Sequence, residues 1–315
     1  MEMIFSHGDT DGICSAALAY SKYPEAELWI STPIGLLKDV KACNADLTVI
    51  CDLAISERDK DALFREFKRI SSKGELNYID HHPLPLYTLT GDLPCTKIMW
   101  DTKKSSSELT YRFLNLDDMS HLALFGAIAD YCDSTRFVVE ELDFYDKRTI
   151  SLEAGLLSQC LGVSRGDYSF KREIIKELAN GKMPSSMQRV VRKALKASKK
   201  EWQLYDYVRE NVHELEGLAV IRTPNGLSPT KAAKFAIGAA GSPVGLSTQD
   251  RDSYVDISVR KRYDLSLDLN HVLRTIAPRL GGSGGGHESA AGARIPKEKF
   301  EEFVMLLSTE VFAAL

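Results

Sequence analysis

The sequence predicts an α/β protein in which two domains are joined by a helical connector. In the first half, short strand-like runs alternate with helical runs, and a second αβ unit begins after a long helical stretch. The chain has 315 residues, which is long for one hydrophobic core and sufficient for two. We expect the first domain over residues 1–165, the connector over 166–215 and the smaller second domain over 216–315.

Four short apolar runs, rich in β-branched or aromatic residues, predict the strands of the first domain. They are residues 3–6, 27–32, 47–52 and 76–80. The intervening segments have helical spacing, and Ser56 with Asp59 predicts a capping box at the start of the third helix. Such alternation is typical of a mostly parallel sheet with helices on both faces.

A mainly helical stretch follows residue 100. Ser105 and Glu108 have the spacing of another capping box, and residues 119–133 are apolar enough for a buried helix. Residues 185–211 predict one long helix with six basic and no acidic residues between 189 and 200. A solvated helix face is the simpler interpretation of this run, and a stripe that follows a nucleic-acid backbone is the alternative.

The second domain repeats the αβ pattern. Residues 217–223, 244–249 and 254–262 predict strands, whereas 228–240 and 267–280 predict helices, the first of them capped by Ser228 and opened by Pro229. The glycine-rich segment 281–292 closes the unit. In isolation it is typical of a flexible linker, but bare amides at Gly284, Gly285 and Gly286, beside His287, are an alternative cradle for a phosphate.

Composition excludes several classes of protein. A net charge of −4 argues against a protein that coats nucleic acid over its whole surface, although it permits a local basic groove. Six cysteines without a C-x-x-C pair indicate reduced thiols in a cytoplasmic protein and disfavour zinc. We find no signal-peptide pattern and no apolar stretch of the roughly 20 residues that a membrane span needs.

Acids and imidazoles cluster where three predicted strands end. The first strand is followed by His7, Asp9 and Asp11, the third ends at Asp52, and the fourth ends in Asp80, His81 and His82. Because the carboxyl ends of parallel strands share one edge of a sheet, these side chains should converge. Together they predict two divalent cations with a shared carboxylate, Mn²⁺ best fitting the ligand types and Mg²⁺ or Co²⁺ being alternatives. Taken singly, Asp52 is more typical of a helix N-cap than of a metal ligand, and residues 80–82 are also compatible with a surface turn.

Five motifs in order resemble those of the DHH/DHHA1 phosphoesterase family, most nearly its archaeal RecJ-like single-strand exonucleases. They are "HGDTDG" at 7–12, Asp52 in "VICD", "DHH" at 80–82, Asp130 in "GAIADYCD" and "GGSGGGHESAAG" at 281–292. The resemblance covers nearly the whole chain. It implies an N-terminal DHH domain, a C-terminal DHHA1-type domain and an active-site cleft between them.

The resemblance also implies a role for each matching residue. His7 and Asp9 would hold one metal, Asp11, His81 and Asp130 the other, and Asp52 would bridge them. Asp80 would orient the imidazole of His81, and His82 would reach the scissile phosphate. Asp133, one helical turn from Asp130, is a further candidate ligand. Arg260 in "ISVR" matches the substrate-binding Ser-x-Arg of the family and would act with the glycine segment and His287; its alternative is an ordinary exposed strand end.

Three functions follow as hypotheses. The first is a two-metal exonuclease that hydrolyses single-stranded DNA or RNA from an end, in DNA repair or replication. The second is a small-substrate phosphoesterase that acts on very short oligonucleotides, cyclic dinucleotides or 3′-phosphoadenosine 5′-phosphate. The third is a replisome scaffold, which the intact ligand set disfavours, although a nuclease that also docks on replication proteins such as the GINS complex remains open.

Overall fold

A five-stranded parallel sheet organises the N-terminal part of the chain. The computed structural model describes all residues, 1–315, and divides into a unit of residues 1–197 and a unit of residues 198–315. The division falls inside the segment that the sequence marks as a helical connector. We describe each unit by itself.

The first unit contains five strands and eight complete helices. The strands are β1 (Glu2–His7), β2 (Glu27–Ser31), β3 (Leu47–Cys51), β4 (Glu75–Asp80) and β5 (Lys97–Trp100). The helices are α1 (Thr10–Lys22), α2 (Leu36–Lys41), α3 (Lys60–Ser71), α4 (Ser106–Leu114), α5 (Ser120–Ala129), α6 (Arg136–Phe144), α7 (Lys147–Val163) and α8 (Tyr168–Ala179). A ninth helix, α9 (Gln188–Asn211), begins in this unit and ends in the second.

The strand order in the first sheet is β2-β1-β3-β4-β5, and every pairing is parallel. Ser6 of β1 lies beside Cys51 of β3, and Cys51 lies beside Ile79 of β4. The three strands that precede the acidic motifs therefore end at the same level. This register brings together segments that are far apart in sequence.

Both faces of this sheet are buried, as the alternation of strands and helices predicts. In β1, Ile4 packs into a core with α1, α5 and α7, whereas Met3 and Phe5 pack on the other face with α2 and α3. Successive side chains of a strand point to opposite faces, so a continuous apolar run is what a doubly covered strand requires. The mostly parallel, helix-covered sheet predicted from the sequence is confirmed.

Of the two spacings that predict a capping box, only the one at Ser105 gives a capping hydrogen bond. Ser105 caps α4, because its hydroxyl accepts a hydrogen bond from the amide of Glu108 at 3.1 Å. The prediction at Ser56 is wrong: its side chain makes no cap hydrogen bond, and a short 3₁₀ turn over Glu57–Asp59 precedes α3. Spacing alone does not decide whether the backbone enters the helix through a 3₁₀ turn.

The basic run on α9 is partly neutralised within the first unit. Arg189 forms ion pairs with Glu173 and Glu177, and the ammonium of Lys193 lies 3.4 Å from Asp167 and 3.6 Å from the ring centroid of Phe170. These contacts favour the interpretation as a helix face whose charges are satisfied by neighbouring side chains.

The second unit is built on a six-stranded mixed sheet. Its strands are β6 (His213–Leu215), β7 (Leu218–Arg222), β8 (Val244–Asp250), β9 (Tyr254–Lys261), β10 (Ser283–Gly286) and β11 (Ala290–Pro296), in the order β10-β11-β9-β8-β7-β6. Only β7 and β8 pair in parallel. The helices wholly inside the unit are α10 (Pro229–Ala240), α11 (Leu269–Arg279) and α12 (Phe300–Ala313).

The glycine-rich segment forms an edge strand, so its interpretation as a flexible linker is wrong. β10 pairs with β11, and a Cβ on Gly284 would lie 2.9 Å from the Leu273 carbonyl oxygen of α11. Gly285 and Gly286 have φ values of +154° and +150°, which are essentially restricted to glycine. Glycine is needed here because the strand lies directly against a helix backbone.

Every helix falls short, in length or in apolar content, of what a bilayer span requires.

We predict that Gly245→Ala destabilises the second unit. A Cβ at this position of β8 would lie 2.1 Å from the carbonyl oxygen of Ala233 in α10, so strand and helix must separate. We expect a loss of about 1–3 kcal/mol in the free energy of unfolding, measured by denaturant titration. Gly238→Ala is the control: its Cβ meets no atom within 4 Å, and alanine is the better helix former. Equal stability of Gly245→Ala and the unsubstituted protein would contradict the prediction.

Candidate metal centre

The turn between β1 and α1 places two donor side chains together. The Nδ1 atom of His7 lies 2.7 Å from Oδ2 of Asp9, and Oδ1 of Asp9 accepts the amide of Gly12 at 3.1 Å as the N-cap of α1. A Cβ on Gly12 would lie only 2.5 Å from the carbonyl oxygen of His7. The motif therefore needs glycine because the helix begins almost in contact with the end of the strand.

Asp52 lies at the end of β3 in a left-handed backbone conformation, with φ of +57°. Aspartate tolerates this region better than most residues. Its side chain is 1% exposed; Oδ1 accepts a hydrogen bond from Ser106 Oγ at 3.0 Å, whereas Oδ2 accepts none. A buried carboxylate oxygen without a donor is unfavourable, so this atom indicates a place for a cation.

His81 lies at the centre of a second group of acids. Its Nε2 atom is 3.2 Å from Asp130 Oδ2, 3.4 Å from Asp52 Oδ1 and 3.9 Å from Asp11 Oδ2. The carboxylate of Asp11 is fixed by the backbone amides of Ser106 and Ser107, at 2.7 and 2.9 Å, at the N-terminus of α4. The start of α4 thus orients the carboxylate of Asp11 through two backbone amides and that of Asp52 through the Ser106 hydroxyl.

His82 and Asp80 form a separate pair, which corrects one expectation from the sequence. Asp80 Oδ1 lies 2.8 Å from Nδ1 of His82, and its Oδ2 accepts the Tyr78 hydroxyl at 2.8 Å. Asp80 therefore orients His82, and not His81 as the motif suggested. The rings of His81 and His82 are nevertheless in edge contact, with their centroids 4.8 Å apart. The Trp100 indole donates to the His82 carbonyl at 2.8 Å.

Two sets of donor atoms consist of the predicted ligands and could each hold a cation. One set is His7, Asp9 and Asp52, the other is Asp11, His81 and Asp130, and the atoms of each set lie within 4.8 Å of one another. Asp52 touches both sets, since its Oδ1 also lies 3.4 Å from His81. An octahedral cation with bonds of about 2.1 Å has neighbouring ligand atoms about 3 Å apart, so the spacing fits. Asp133 is exposed and outside both sets.

Burial and the neighbouring charges shift the pKa values of the groups in this site. Burial raises the pKa of Asp11 to about 6, against the attraction of His81. Burial and the nearby charges of Asp9 and Asp11 raise the pKa of Asp52 well above its ordinary value. Burial lowers the pKa of His81, but hydrogen bonds to Asp130 and Asp52 outweigh it, so that the pKa is well above the ordinary value. The site holds more negative charge than its own imidazoles neutralise.

The predicted substrate residues of the second unit lie around β9, β10 and β11. Arg260 of β9 is paired in register with Ala290, close to His287 in the turn between β10 and β11. The amide of Gly286 donates to Asn270 Oδ1 at 3.0 Å, and the amide of His287 donates to the Ala290 carbonyl at 2.8 Å. These two amides are engaged inside the unit. The substrate-binding role of Gly284, Gly285, Gly286, His287 and Arg260 stays a prediction from the sequence.

Sequence reasoning missed several residues that build the site. Tyr78 and Trp100 hold the Asp80–His82 pair from β4 and β5, and Gly126 of α5 lies so close to Asp11 that a Cβ would be 2.4 Å from its Oδ1. No spacing in the sequence marks these residues. The run of serines at 105–107 was a usable signal, because a capped helix start exposes amides that can hold a carboxylate.

Comparison with known proteins gives one family match and a set of shared folds. Residues 229–311 match the DHHA1 domain family. No curated protein matches the sequence. Among solved structures, the pGpG-specific phosphodiesterase PggH from Vibrio cholerae is 14% identical, with a TM-score of 0.63, over 100% of this chain and 99% of that one.

Two further structures share the fold. RecJ from Thermus thermophilus, in complex with Mn²⁺, is 15% identical with a TM-score of 0.68, over 99% of this chain but only 52% of RecJ. An exopolyphosphatase-related protein from Bacteroides fragilis is 14% identical with a TM-score of 0.56, over 99% of this chain and 91% of that one.

These findings confirm the resemblance that the five motifs predict. The family match lies within the second unit, and the shared folds cover both units. The chain therefore contains a DHHA1 domain and has the fold of PggH and of RecJ.

Proposed function

We propose that the chain is a phosphodiesterase that uses two divalent cations to remove nucleotides from an end of single-stranded nucleic acid. The observation that carries the proposal is Asp52, whose buried Oδ2 accepts no hydrogen bond while its Oδ1 faces His81. One carboxylate positioned between two sets of donors is what a pair of bridged cations requires. We infer Mn²⁺ as the preferred ion, because imidazole and carboxylate ligands without thiolate suit it.

Each residue of the centre has a distinct task in this proposal. His7 and Asp9 would hold one cation, Asp11, His81 and Asp130 the other, and Asp52 would contact both. When bound, the cations lower the pKa of water and neutralise charge on the phosphoryl oxygens. The amides of Ser106 and Ser107 keep Asp11 in place, so the donor set is ordered before anything binds.

His82 is the group that we assign to the substrate phosphate. Burial raises the pKa of Asp80, but the charge of His82 and the hydrogen bonds from His82 and Tyr78 outweigh this effect and lower the pKa. The Oδ1 atom of Asp80 therefore accepts a hydrogen bond from His82. The hydrogen on that side of the imidazole is therefore on Nδ1, which directs Nε2 to the phosphoryl or leaving oxygen. In the second unit, Arg260 and His287 would bind the nucleotide chain.

A second candidate is a phosphodiesterase for dinucleotides or other very short substrates. The specific observation in its favour is the mutual coverage with PggH, in which each chain is matched over nearly its full length.

Docking on replication proteins such as GINS stays a prediction from the sequence resemblance.

A length series separates the two candidates. We expect an exonuclease to degrade single-stranded DNA or RNA of about 20 nucleotides stepwise from one end, in Mn²⁺, as measured by gel electrophoresis of end-labelled strands. A short-substrate enzyme loses its rate beyond a few nucleotides. If no strand of any length is cleaved in Mn²⁺, Mg²⁺ or Co²⁺, the proposal is wrong.

Asp52→Asn should abolish hydrolysis. The amide keeps the size of the side chain but carries no charge, so we expect kcat to fall by about a thousandfold or more. Calorimetric titration with Mn²⁺ should show a lost or much weakened site. Asp133→Asn is the matched control, because this exposed acid lies three residues beyond Asp130 and outside the donor sets, and its kcat should stay within about twofold. Near-normal turnover by Asp52→Asn would contradict the proposal that Asp52 bridges the two cations.

Mn²⁺ should stabilise the protein more at pH 7.5 than at pH 5.5. The folded pKa of Asp11 is about 6, above its unfolded value, so without metal the stability from this group falls as the pH rises from about 4 to 6. His81 acts in the same direction, because its raised pKa adds stability that is lost as the pH rises through that pKa. Cations bind deprotonated ligands and so gain affinity over this range.

The measurement is the Mn²⁺-induced shift in Tm at the two pH values, with Asp52→Asn as the control that should lose the shift. A Tm shift that is larger at pH 5.5 would contradict the assignment of these acids as ligands.

A further inference from the structure

A buried lysine of the second unit contacts the turn that carries His287. Lys261 is the last residue of β9 and is 5% exposed. Its ammonium donates to Oε1 of Glu288 and to the carbonyl oxygen of Leu265, in both cases at 2.8 Å. Glu288 directly follows His287, whereas Leu265 belongs to the loop between β9 and α11. One buried charge therefore joins the turn between β10 and β11 to this loop.

The backbone of this turn lacks the conformation that stabilises a tight hairpin by itself. His287 and Ala290 exchange two backbone hydrogen bonds, at 2.8 and 3.3 Å, so Glu288 and Ser289 form a two-residue loop. The favoured two-residue loops need a positive φ at the first central residue or at both. Neither Glu288 nor Ser289 has a positive φ. Contacts from outside the hairpin must therefore contribute to holding the turn in this shape.

Three hydrogen bonds from neighbouring elements reach the two loop residues. The amide of Leu269, at the start of α11, donates to the Glu288 carbonyl at 2.9 Å. The amide of Lys261 donates to the Ser289 carbonyl at 3.3 Å, and the third bond is that of the Lys261 ammonium to the Glu288 carboxylate. Lys261 thus contacts both loop residues, one through its backbone and the other through its side chain.

Burial of the ammonium makes this contact stronger than an ordinary surface ion pair. The side chain of Glu288 is 72% exposed, but that of Lys261 is only 4% exposed. A buried ammonium that loses its countercharge is strongly unfavourable, whereas an exposed pair contributes little. Movement of Glu288 into solvent would leave the Lys261 charge buried and unbalanced. The turn is therefore held from beneath, although its own carboxylate lies at the surface.

We propose that Lys261 is a positioning residue, which fixes the turn so that His287 can bind the nucleotide chain. The inference rests on the proposed function, in which Arg260 and His287 bind the substrate, and adds a residue that acts through His287. Lys261 lies on the buried face of β9, which it shares with Val259, and Arg260 lies on the opposite face. The alternative is that Lys261 only stabilises the second unit as a whole.

The test uses the full chain with Mn²⁺ and breaks the contact from both sides. Lys261→Met removes the charge and keeps the length of the side chain. Glu288→Ala removes the acceptor at an exposed position, so a loss common to both variants does not come from a change in the core. Glu288→Gln keeps an oxygen acceptor and is the conservative variant. Lys299→Met is the matched control, because Lys299 is an exposed lysine of the same unit that pairs with the exposed Glu302.

The first readout is the hydrolysis of the strand length that the length series identifies. We expect KM to rise about tenfold in Lys261→Met and in Glu288→Ala, the effect of one lost hydrogen bond to a charged group, while kcat stays within about twofold. Glu288→Gln should recover most of the loss, and Lys299→Met should show none. Added to His287→Ala, Lys261→Met should cause no further loss, because it acts through His287. An unchanged KM, or losses that add in the double variant, overturns the proposal.

The second readout does not depend on turnover. Amide hydrogen exchange, measured by mass spectrometry, should become about tenfold faster over residues 286–291 in Lys261→Met and Glu288→Ala, with β7 and β8 unchanged. Such local exchange in a chain that hydrolyses no strand supports the fixation of His287 by Lys261 and refutes the proposed function alone. Faster exchange across the whole second unit, or none over 286–291, overturns the positioning role and leaves the proposed hydrolysis standing.

Discussion

The repulsion among buried carboxylates at the end of the first sheet is the constraint on which the site depends. Asp11 and Asp52 are both essentially inaccessible to solvent, and Asp52 presents an oxygen that no protein group satisfies. Such an arrangement is unfavourable in isolation and becomes favourable when cations occupy it. The surrounding fold must therefore hold these groups together against their own charge. The cost is met by the two apolar cores that cover the sheet on both faces.

Three structural devices hold the acids in place. The parallel register ends β1, β3 and β4 at one level, so that three distant segments meet. The N-terminus of α4 donates two amides to Asp11 and a hydroxyl to Asp52. Glycines at positions 12 and 126 remove side-chain volume where helices approach the donors most closely. Apart from the Ser106 hydroxyl, these devices use backbone geometry rather than side chains, which keeps the donor atoms ordered.

The Asp80–His82 pair shows how a short motif can be interpreted with the right residues but the wrong partners. A carboxylate beside two imidazoles can orient either of them, and the spacing does not decide which. The 2.8 Å contact between Asp80 Oδ1 and His82 Nδ1, supported by Tyr78 and Trp100 from β4 and β5, assigns Asp80 to His82.

The sequence by itself determined the parallel sheet, the helices that cover it, the order of the strands along the chain and the residues at the ends of β1, β3 and β4. It could do so because apolar periodicity and strand-end position are local properties that follow from backbone geometry. Only the tertiary structure decided that the glycine-rich segment is a strand packed on α11, that Ser56 does not cap a helix, and which group each histidine faces. Those outcomes depend on how closely elements distant in sequence approach one another, and no local pattern encodes that distance.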